Sequence, residues 1–423
     1  VSHRIGDSLL ALSSARLRDV RNEGITLNIY DCNHHVCMKQ WPLLLFYAGM
    51  TTTMQLPDVA FRLYCIKQLG FSPSTYAMVT SVSVVPWSIK PLWGFAIDNM
   101  RCTRGAIVAC LVGFVSMWCC LGAEVATGPF AISMLMAASS FFLCFMDVMA
   151  DAELVRRVRQ ETSANVGRMQ SNVWIARAGG ALVSAIAGGL MARYFTYTHV
   201  FFITAGVLCP GALSLACVLG DRRITTCAET RRKLILLVQT LQKPGLFRPC
   251  VFIFVMAAVP TCYFAIVVFL QNSLHFTPMQ FAYIDAAQHV AHIAGASLYK
   301  YKLRRVGFQQ IFYCGIAALV TLRLSQMLLI TRVNVVAHIP DLVFSMGEAI
   351  AFSIVGQVLI MPVCVIGARM CPRGIEGSLY STLMSVSNFG GLIASWLGAA
   401  LTDAFHITNK DFRNLWKLSF LCT

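Results

Sequence analysis

Residues 104–124 read RGAIVACLVGFVSMWCCLGAE, and nothing charged stands between Arg104 and Glu124. Crossing a hydrocarbon core of ~30 Å takes about 20 mostly apolar residues in a helix, because lipid offers no partner to backbone N–H and C=O groups. This run meets that requirement. The same pattern recurs on both sides of it, at 41–65, 74–97, 129–150, 171–193 and 198–219, then at 247–270, 278–298, 306–330, 340–367 and 377–403. Phe412 to Thr423 has the look of the first half of a twelfth span. The expectation is an all-α polytopic membrane protein of twelve transmembrane helices, the last incomplete in this sequence.

Composition agrees. The 423 residues are 57% hydrophobic and 13% charged, where an ordinary soluble domain is about half apolar and about a quarter charged. The net charge of +15 raises nucleic acid as a partner, so the placement of the basic residues decides. Arg101 and Arg104, then Arg156, Arg157, Arg159 and Arg168, fill alternate loops of the first half. Arg222, Arg223, Arg231, Arg232, Lys233, Lys243 and Arg248, then Lys300, Lys302, Arg304 and Arg305, then Arg369 and Arg373, continue the series. The loops on the other side hold Lys67, Arg193 and Arg332 until Lys410, Arg413 and Lys417 near the end. By the positive-inside rule the N-terminus and the central loop are cytoplasmic or topologically equivalent. The charge is explained without nucleic acid, and the chain is expected to be integral and multi-pass in a plasma or organelle membrane, with lipids as neighbours.

The segments outside the spans carry little chemistry. Of seventeen cysteines, most fall inside spans, where cysteine is a small hydrophobe. Asp31, Cys32, His34, His35 and Cys37 lie close together, but their spacing matches no standard zinc framework; no metal and no cofactor is expected. Ser8 to Val20 can form an amphipathic surface helix. The organisation read from the chain is a cytoplasmic juxtamembrane segment (1–40), a six-helix half (41–219), a basic cytoplasmic linker (220–246) and a second six-helix half (247–423).

Six spans, a basic linker and six more is the plan of the major facilitator superfamily, two pseudo-symmetric halves around a central cavity. At the end of the second span, Gly94-Phe95-Ala96-Ile97-Asp98-Asn99-Met100-Arg101-Cys102-Thr103-Arg104 resembles that superfamily's loop signature. Gly94 lets two helices approach, Asp98 can accept hydrogen bonds from a helix N-terminus or pair with arginine, and Arg101 and Arg104 complete the gate motif. The corresponding loop of the second half keeps Gly295 and its basic run but has Tyr299 in place of the acid.

Charges within spans are expensive in hydrocarbon and normally face a cavity or a partner. Asp58 and Arg62, Lys90, Asp147 and Asp151, Arg177, Asp285, Arg323 and Glu348 are such residues. Each alone could simply pair helices together; their number points to a polar path.

The residues that carry a closer resemblance run through most of 55–403. They are Pro57-Asp58, Leu69-Gly70-Phe71-Ser72-Pro73, Pro86-Trp87-Ser88-Ile89-Lys90-Pro91-Leu92-Trp93-Gly94, Asp147-Val148-Met149-Ala150-Asp151-Ala152, Met169-Gln170-Ser171, Arg177-Ala178-Gly179-Gly180, Ile339-Pro340-Asp341, Cys371-Pro372-Arg373-Gly374-Ile375-Glu376-Gly377 and Met384-Ser385-Val386-Ser387-Asn388-Phe389-Gly390-Gly391. In this order they resemble the folate-biopterin transporter family. The chain departs from that pattern at Arg156, where the family reads an acid, and in the short loop after Asp98.

The resemblance implies secondary active transport of a folate, a biopterin or a related pterin or organic anion, coupled to protons. A pterin edge suits a carboxylate, and a folate tail suits Arg or Lys. Asp147 or Glu348 is expected at the ring edge, Lys90 and Arg177 at anionic groups, and Trp87 or Trp174 against the ring face. Asp58, Asp151, Asp285 and Asn388 complete the expected solute and proton pathway. A carboxylate whose exposure changes between two states changes its proton affinity, which makes Asp147, Asp285 or Glu348 candidates for a relay. This reading expects ionisable groups from both halves to converge on one wet chamber. No Walker loop, His-Glu-x-x-His or Gly-x-Ser-x-Gly is present, so an enzyme is not expected. The rival is a transporter-derived scaffold within a larger membrane assembly.

Overall fold

A lipid-facing chain satisfies its backbone within each helix, and every regular element among the described residues is helical. A computed structural model describes residues 40–71, 76, 79–80, 82–161, 167–220, 226–407 and 411–423. The cluster around Cys32 and the run from Ser8 to Val20 lie outside these residues. The first span comprises α1 (Trp41–Gln55) and α2 (Asp58–Leu63), the second α3 (Val85–Ser88) and α4 (Lys90–Asn99), the third α5 (Thr103–Gly122) and the fourth α6 (Pro129–Arg159). The fifth is α7 (Arg168–Tyr194), and the sixth is α8 (Tyr197–Val207) with α9 (Cys209–Val218). After the linker helix α10 (Cys227–Leu241), the seventh is α11 (Pro244–Ala257) with α12 (Tyr263–Asn272), the eighth α13 (Pro278–Tyr301) and the ninth α14 (Phe308–Ile330). A single turn, α15 (Val333–Val336), precedes the tenth, α16 (Asp341–Met370), and the eleventh, α17 (Glu376–Ala404); α18 (Leu415–Leu421) follows. By length and composition, six helices among the described residues are able to cross a membrane.

The spans expected to be continuous at 41–65, 74–97 and 247–270 are each broken. Proline supplies no N–H and crowds the preceding turn, and the breaks fall at Leu56-Pro57, at Ile89 beside Pro91, and at Ala258 to Cys262 around Pro260. At the second break the Pro86 carbonyl is taken by Trp93 Nε1 at 2.9 Å, so the interruption does not leave that group bare. Broken helices in a membrane are tolerated where neighbours or a cavity take up the freed backbone.

The first and seventh spans are held by the same device. On α7, a Cβ at Gly180 would run into the Ala48 carbonyl, Ser184 Oγ donates to Thr52 O at 3.0 Å, and a Cβ at Gly188 would lie 2.9 Å from Leu56 O. On α17, Gly390 lies against α11 and Gly398 against the Thr261 carbonyl, and between them Ala394 O accepts from Thr261 N at 3.3 Å. Small residues four apart let two backbones meet, the closest packing helices reach in lipid. Residues 42–423 form one unit, with its largest core around Phe46, Ile107, Met146, Leu154 and Phe201.

Candidate functional site

The break at Ile89 makes Lys90 the first residue of a half-helix, with its side chain 4% exposed among helices one, four and five. An ammonium there needs compensation, and α6 supplies it one turn apart. Lys90 Nζ donates to Asp147 Oδ2 at 2.5 Å and to Asp151 Oδ2 at 3.3 Å. Arg177 of α7 donates to Asp147 Oδ1 at 2.7 Å and lies 3.7 Å from Asp151 Oδ1. Tyr47 of α1 donates its hydroxyl to Asp151 at 2.7 Å, and its ring lies 4.3 Å from the Arg177 guanidinium carbon. Two acids and two bases cancel. At 1.5 Å per residue Asp147 is ~18 Å from the end of α6 at Arg159, about half the thickness of a bilayer core. Trp87 flanks Lys90 and Trp174 flanks Arg177, at 5.4 and 5.7 Å.

Towards the arginine-rich face the two halves of the chain are bolted together. Asp98 accepts from Gly377 N at 3.0 Å, Ser378 N at 2.7 Å and Ser378 Oγ at 2.6 Å, capping the N-terminus of α17. A carboxylate on a helix N-terminus meets free N–H groups and the positive end of the dipole. Gly94 brings the helices together there: a Cβ would lie 2.5 Å from Gly377 O. Arg159 bonds Glu376 at 3.1 Å and Cys371 O at 2.9 Å, and Gln170 donates to the Tyr380 hydroxyl at 2.7 Å. The linker helix joins in, Lys233 Nζ bonding Asp98 O and Thr230 bonding Asn99 at 3.2 Å. In the loop after α6, Glu161 accepts from Gly167 N and Met169 N at 2.9 and 2.6 Å. Burial pushes the Glu161 carboxyl up, and those two donors oppose the shift.

Of the cavities outside this ion-paired core among the described residues, two are built alike. One, of about 430 Å³, sits among spans one to four; the other, of about 290 Å³, sits among spans seven to ten. Their linings run in the same register. Thr80, Ser83, Val84 and Trp87 of the second span correspond in spacing to Phe281, Ile284, Asp285 and Gln288 of the eighth. Met136, Ser139, Ser140 and Leu143 of the fourth correspond to Ser345, Glu348, Ala349 and Phe352 of the tenth. The repeat has diverged in chemistry: the first chamber adds Phe61, Phe114 and Trp118, the second Arg323 and Gln326.

The expected residues therefore fall into several groups rather than one. Lys90, Asp147, Asp151 and Arg177 meet, with Trp87 and Trp174 beside them. Asp285 and Glu348 line the second chamber, where no ion pair among the described residues engages either of them or Arg323, whose guanidinium stacks on Phe352 at 4.7 Å. Asp58 lines the first chamber and pairs with Arg62 at 3.1 Å, both sides well exposed. Asn388 is exposed. Of the gate motif, Gly94 and Asp98 join the halves; Arg104 instead bonds Leu219 O, and Arg101 is exposed. Sequence reasoning missed Tyr47, Arg159 as the partner of Glu376, and the Gln170–Tyr380 bond. A buried acid one turn from a paired acid was the signal that a further donor such as Tyr47 was needed.

Comparison with known proteins accords with these features. The BT1 family model matches residues 51–423. A folate-biopterin transporter of Synechocystis sp. is 30% identical over 367 residues, covering 85% of this chain and 74% of that protein. Folate transporter 1 of Plasmodium falciparum is 22% identical over 361 residues, covering 83% and 70%. The crystal structure of a bacterial homologue of the iron transporter ferroportin, in an outward-facing state, aligns with a TM-score of 0.65 at 14% identity, covering 91% of this chain and 96% of that one. At that identity the likeness concerns the fold alone. Motifs, matched residues and fold agree that the chain belongs to the BT1 family, the folate-biopterin transporters, and is a multi-pass membrane protein of a family of transporters rather than enzymes.

Proposed function

We propose that the protein carries a folate, biopterin or related pterin-like anion across its membrane by alternating access, coupled to protons. The observation that supports this best is the charge-balanced tetrad of Lys90, Asp147, Asp151 and Arg177 at mid-depth, flanked by Trp87 and Trp174. A set of ion pairs holds no net charge, yet each pair can be exchanged for a pair with solute. A solute carboxylate reaching Arg177, whose side chain is 21% exposed, competes with Asp147 for the guanidinium. Freed from that bond, Asp147 is available to an amino-pyrimidinone edge or to a proton.

By the positive-inside rule the side of the Asp98–Ser378 bolt is cytoplasmic or topologically equivalent, and in this reading the bolt closes that side. Opening that side breaks the Asp98 cap and the Arg159–Glu376 pair. Those bonds join the two halves, and a transport cycle needs such a reversible closure. Asp147, Asp285 and Glu348 are the acids from which the proton carrier is drawn.

Uptake of labelled folate and biopterin into vesicles, with and without an imposed pH gradient, tests the proposal. Faster uptake with the gradient in wild type, and none in a Lys90→Ala variant that still reaches the membrane, is the expected result. Normal uptake by Lys90→Ala makes the tetrad structural. Uptake of neither solute by the wild type removes the proposed function.

A further inference from the structure

Resting on that reading of the solute, we infer that the cavity among spans one to four is a receptor chamber for a flat, hydrogen-bonding aromatic heterocycle of pterin size. Its volume of about 430 Å³ is within the range of small-molecule pockets, roughly 300–1,000 Å³. Four aromatic side chains, Phe61, Trp87, Phe114 and Trp118, line it. Aromatic walls take planar rings by stacking or edge contact, and the second chamber, built at the same register of the repeat, has Gln288 where this one has Trp87. The second chamber has aromatics of its own, Tyr263, Phe281 and Phe352, and what sets this one apart is its pair of indoles, Trp87 and Trp118.

Two polar groups of the wall stand apart from the rest, since Thr80, Ser83 and Asp58 already have partners. Trp118 is 5% exposed and Thr53 is 1% exposed, and neither Trp118 Nε1 nor Thr53 Oγ1 has a hydrogen-bond partner among the described residues. Buried polar atoms are nearly always satisfied, and each orphan calls for a reason. Both belong to one cavity wall. The helical partner of the Thr53 carbonyl is position 57, which is Pro57 and has no N–H to give. Both atoms lie just behind the cavity surface, and small turns of the two side chains bring the indole N–H to an acceptor on the solute ring and the Thr53 hydroxyl to a polar atom of its edge. Asp58 stands at the same wall with a carboxylate. Trp87 is shared between this chamber and the tetrad, since its ring lies 5.4 Å from Lys90 Nζ. A ring held here sends an anionic tail towards Lys90 and Arg177.

The test is equilibrium binding to the purified full chain by titration calorimetry, with pterin as the ring alone, p-aminobenzoylglutamate as the tail alone, and folic acid as both. Trp118→Phe keeps an aromatic wall and removes the N–H; Thr53→Val keeps the shape and removes the hydroxyl. Each is expected to weaken pterin and folic acid on the order of tenfold, as the loss of one buried hydrogen bond does, and to leave the tail's affinity unchanged. Unfolding midpoints equal to wild type show that the variants are folded; if one variant misfolds, the other decides. Unchanged pterin affinity in a folded variant, or equal weakening of ring and tail, overturns the chamber. If that happens while wild-type uptake persists, transport stands and the chamber alone is lost. Failure of wild type to bind either pterin or folic acid overturns both.

Discussion

The tetrad around Asp147 and the chamber containing Glu348 hold the same kinds of side chain under opposite conditions. In the first, two carboxylates and two cations lie within 3.7 Å of a partner, and all but Arg177 are closed off from the surroundings. In the second, Asp285, Arg323 and Glu348 share a cavity wall with no ion pair among the described residues. Each stands seven residues from the end of its helix at the face away from the arginine-rich loops, at Pro278, Ile330 and Asp341, so all three lie ~10 Å deep. A compensated set is rigid and loses heavily when one member is removed. An uncompensated set facing a cavity loses little, because the cavity already does part of the solvating. The difference teaches where charge holds this protein together and where it is held available.

The sharpest way to break the comparison is to remove one member of the tetrad. Lys90→Ala leaves two buried carboxylates facing one guanidinium, and loss of one partner of a buried pair costs about 3–5 kcal/mol. We expect a large fall in the thermal unfolding midpoint. Lys90→Met combined with Asp151→Asn restores neutrality and should recover much of that loss. Equal destabilisation by the single and double variants would show that packing at Lys90, rather than its charge, is what matters.

A somewhat smaller effect is expected at the gate. Gly94→Ala places a methyl 2.5 Å from the Gly377 carbonyl, a backbone atom that no rotamer change moves away. Overpacking of this kind costs about 1–3 kcal/mol, here charged to the closed state alone. Cys371, buried at 3% beside Glu376, should then react faster with an impermeant maleimide, read by peptide mapping. An unchanged rate would mean that the second and eleventh spans separate without consequence for the gate.

Much of this was legible in the chain because membranes punish charge. Lys90, Asp147, Asp151 and Arg177 stand out in any apolar run, and Gly94 with Asp98 marks a helix end. Their partners were not legible. Tyr47 is an ordinary aromatic in a span, 104 positions from the acid it serves, and only helix rotation brings it round. Trp118 and Thr53 look like core residues until their buried polar atoms are found bare. The spans were read as continuous through Pro57, Ile89 and Pro260, since hydropathy averages over the turn that a proline breaks. Arg104 was placed with Asp98 by proximity in sequence, whereas its guanidinium reaches the end of the sixth span.

The smallest effect sharpens the comparison most. Glu348→Gln removes a charge that has no ion pair among the described residues and keeps the side chain's shape, so unfolding should move by less than about 1 kcal/mol in either direction. The matching change in the tetrad, Asp147→Asn, takes the negative charge from beside both Lys90 and Arg177 and turns an amide N–H donor on one of them, and should cost several times more. Stability and coupling then separate. Glu348→Gln is a folded protein in which any change in the pH dependence of uptake belongs to the lost proton site. If instead Glu348→Gln destabilises as much as Asp147→Asn, Glu348 is paired with Arg323 in the working protein, and the second chamber is a strut like the tetrad.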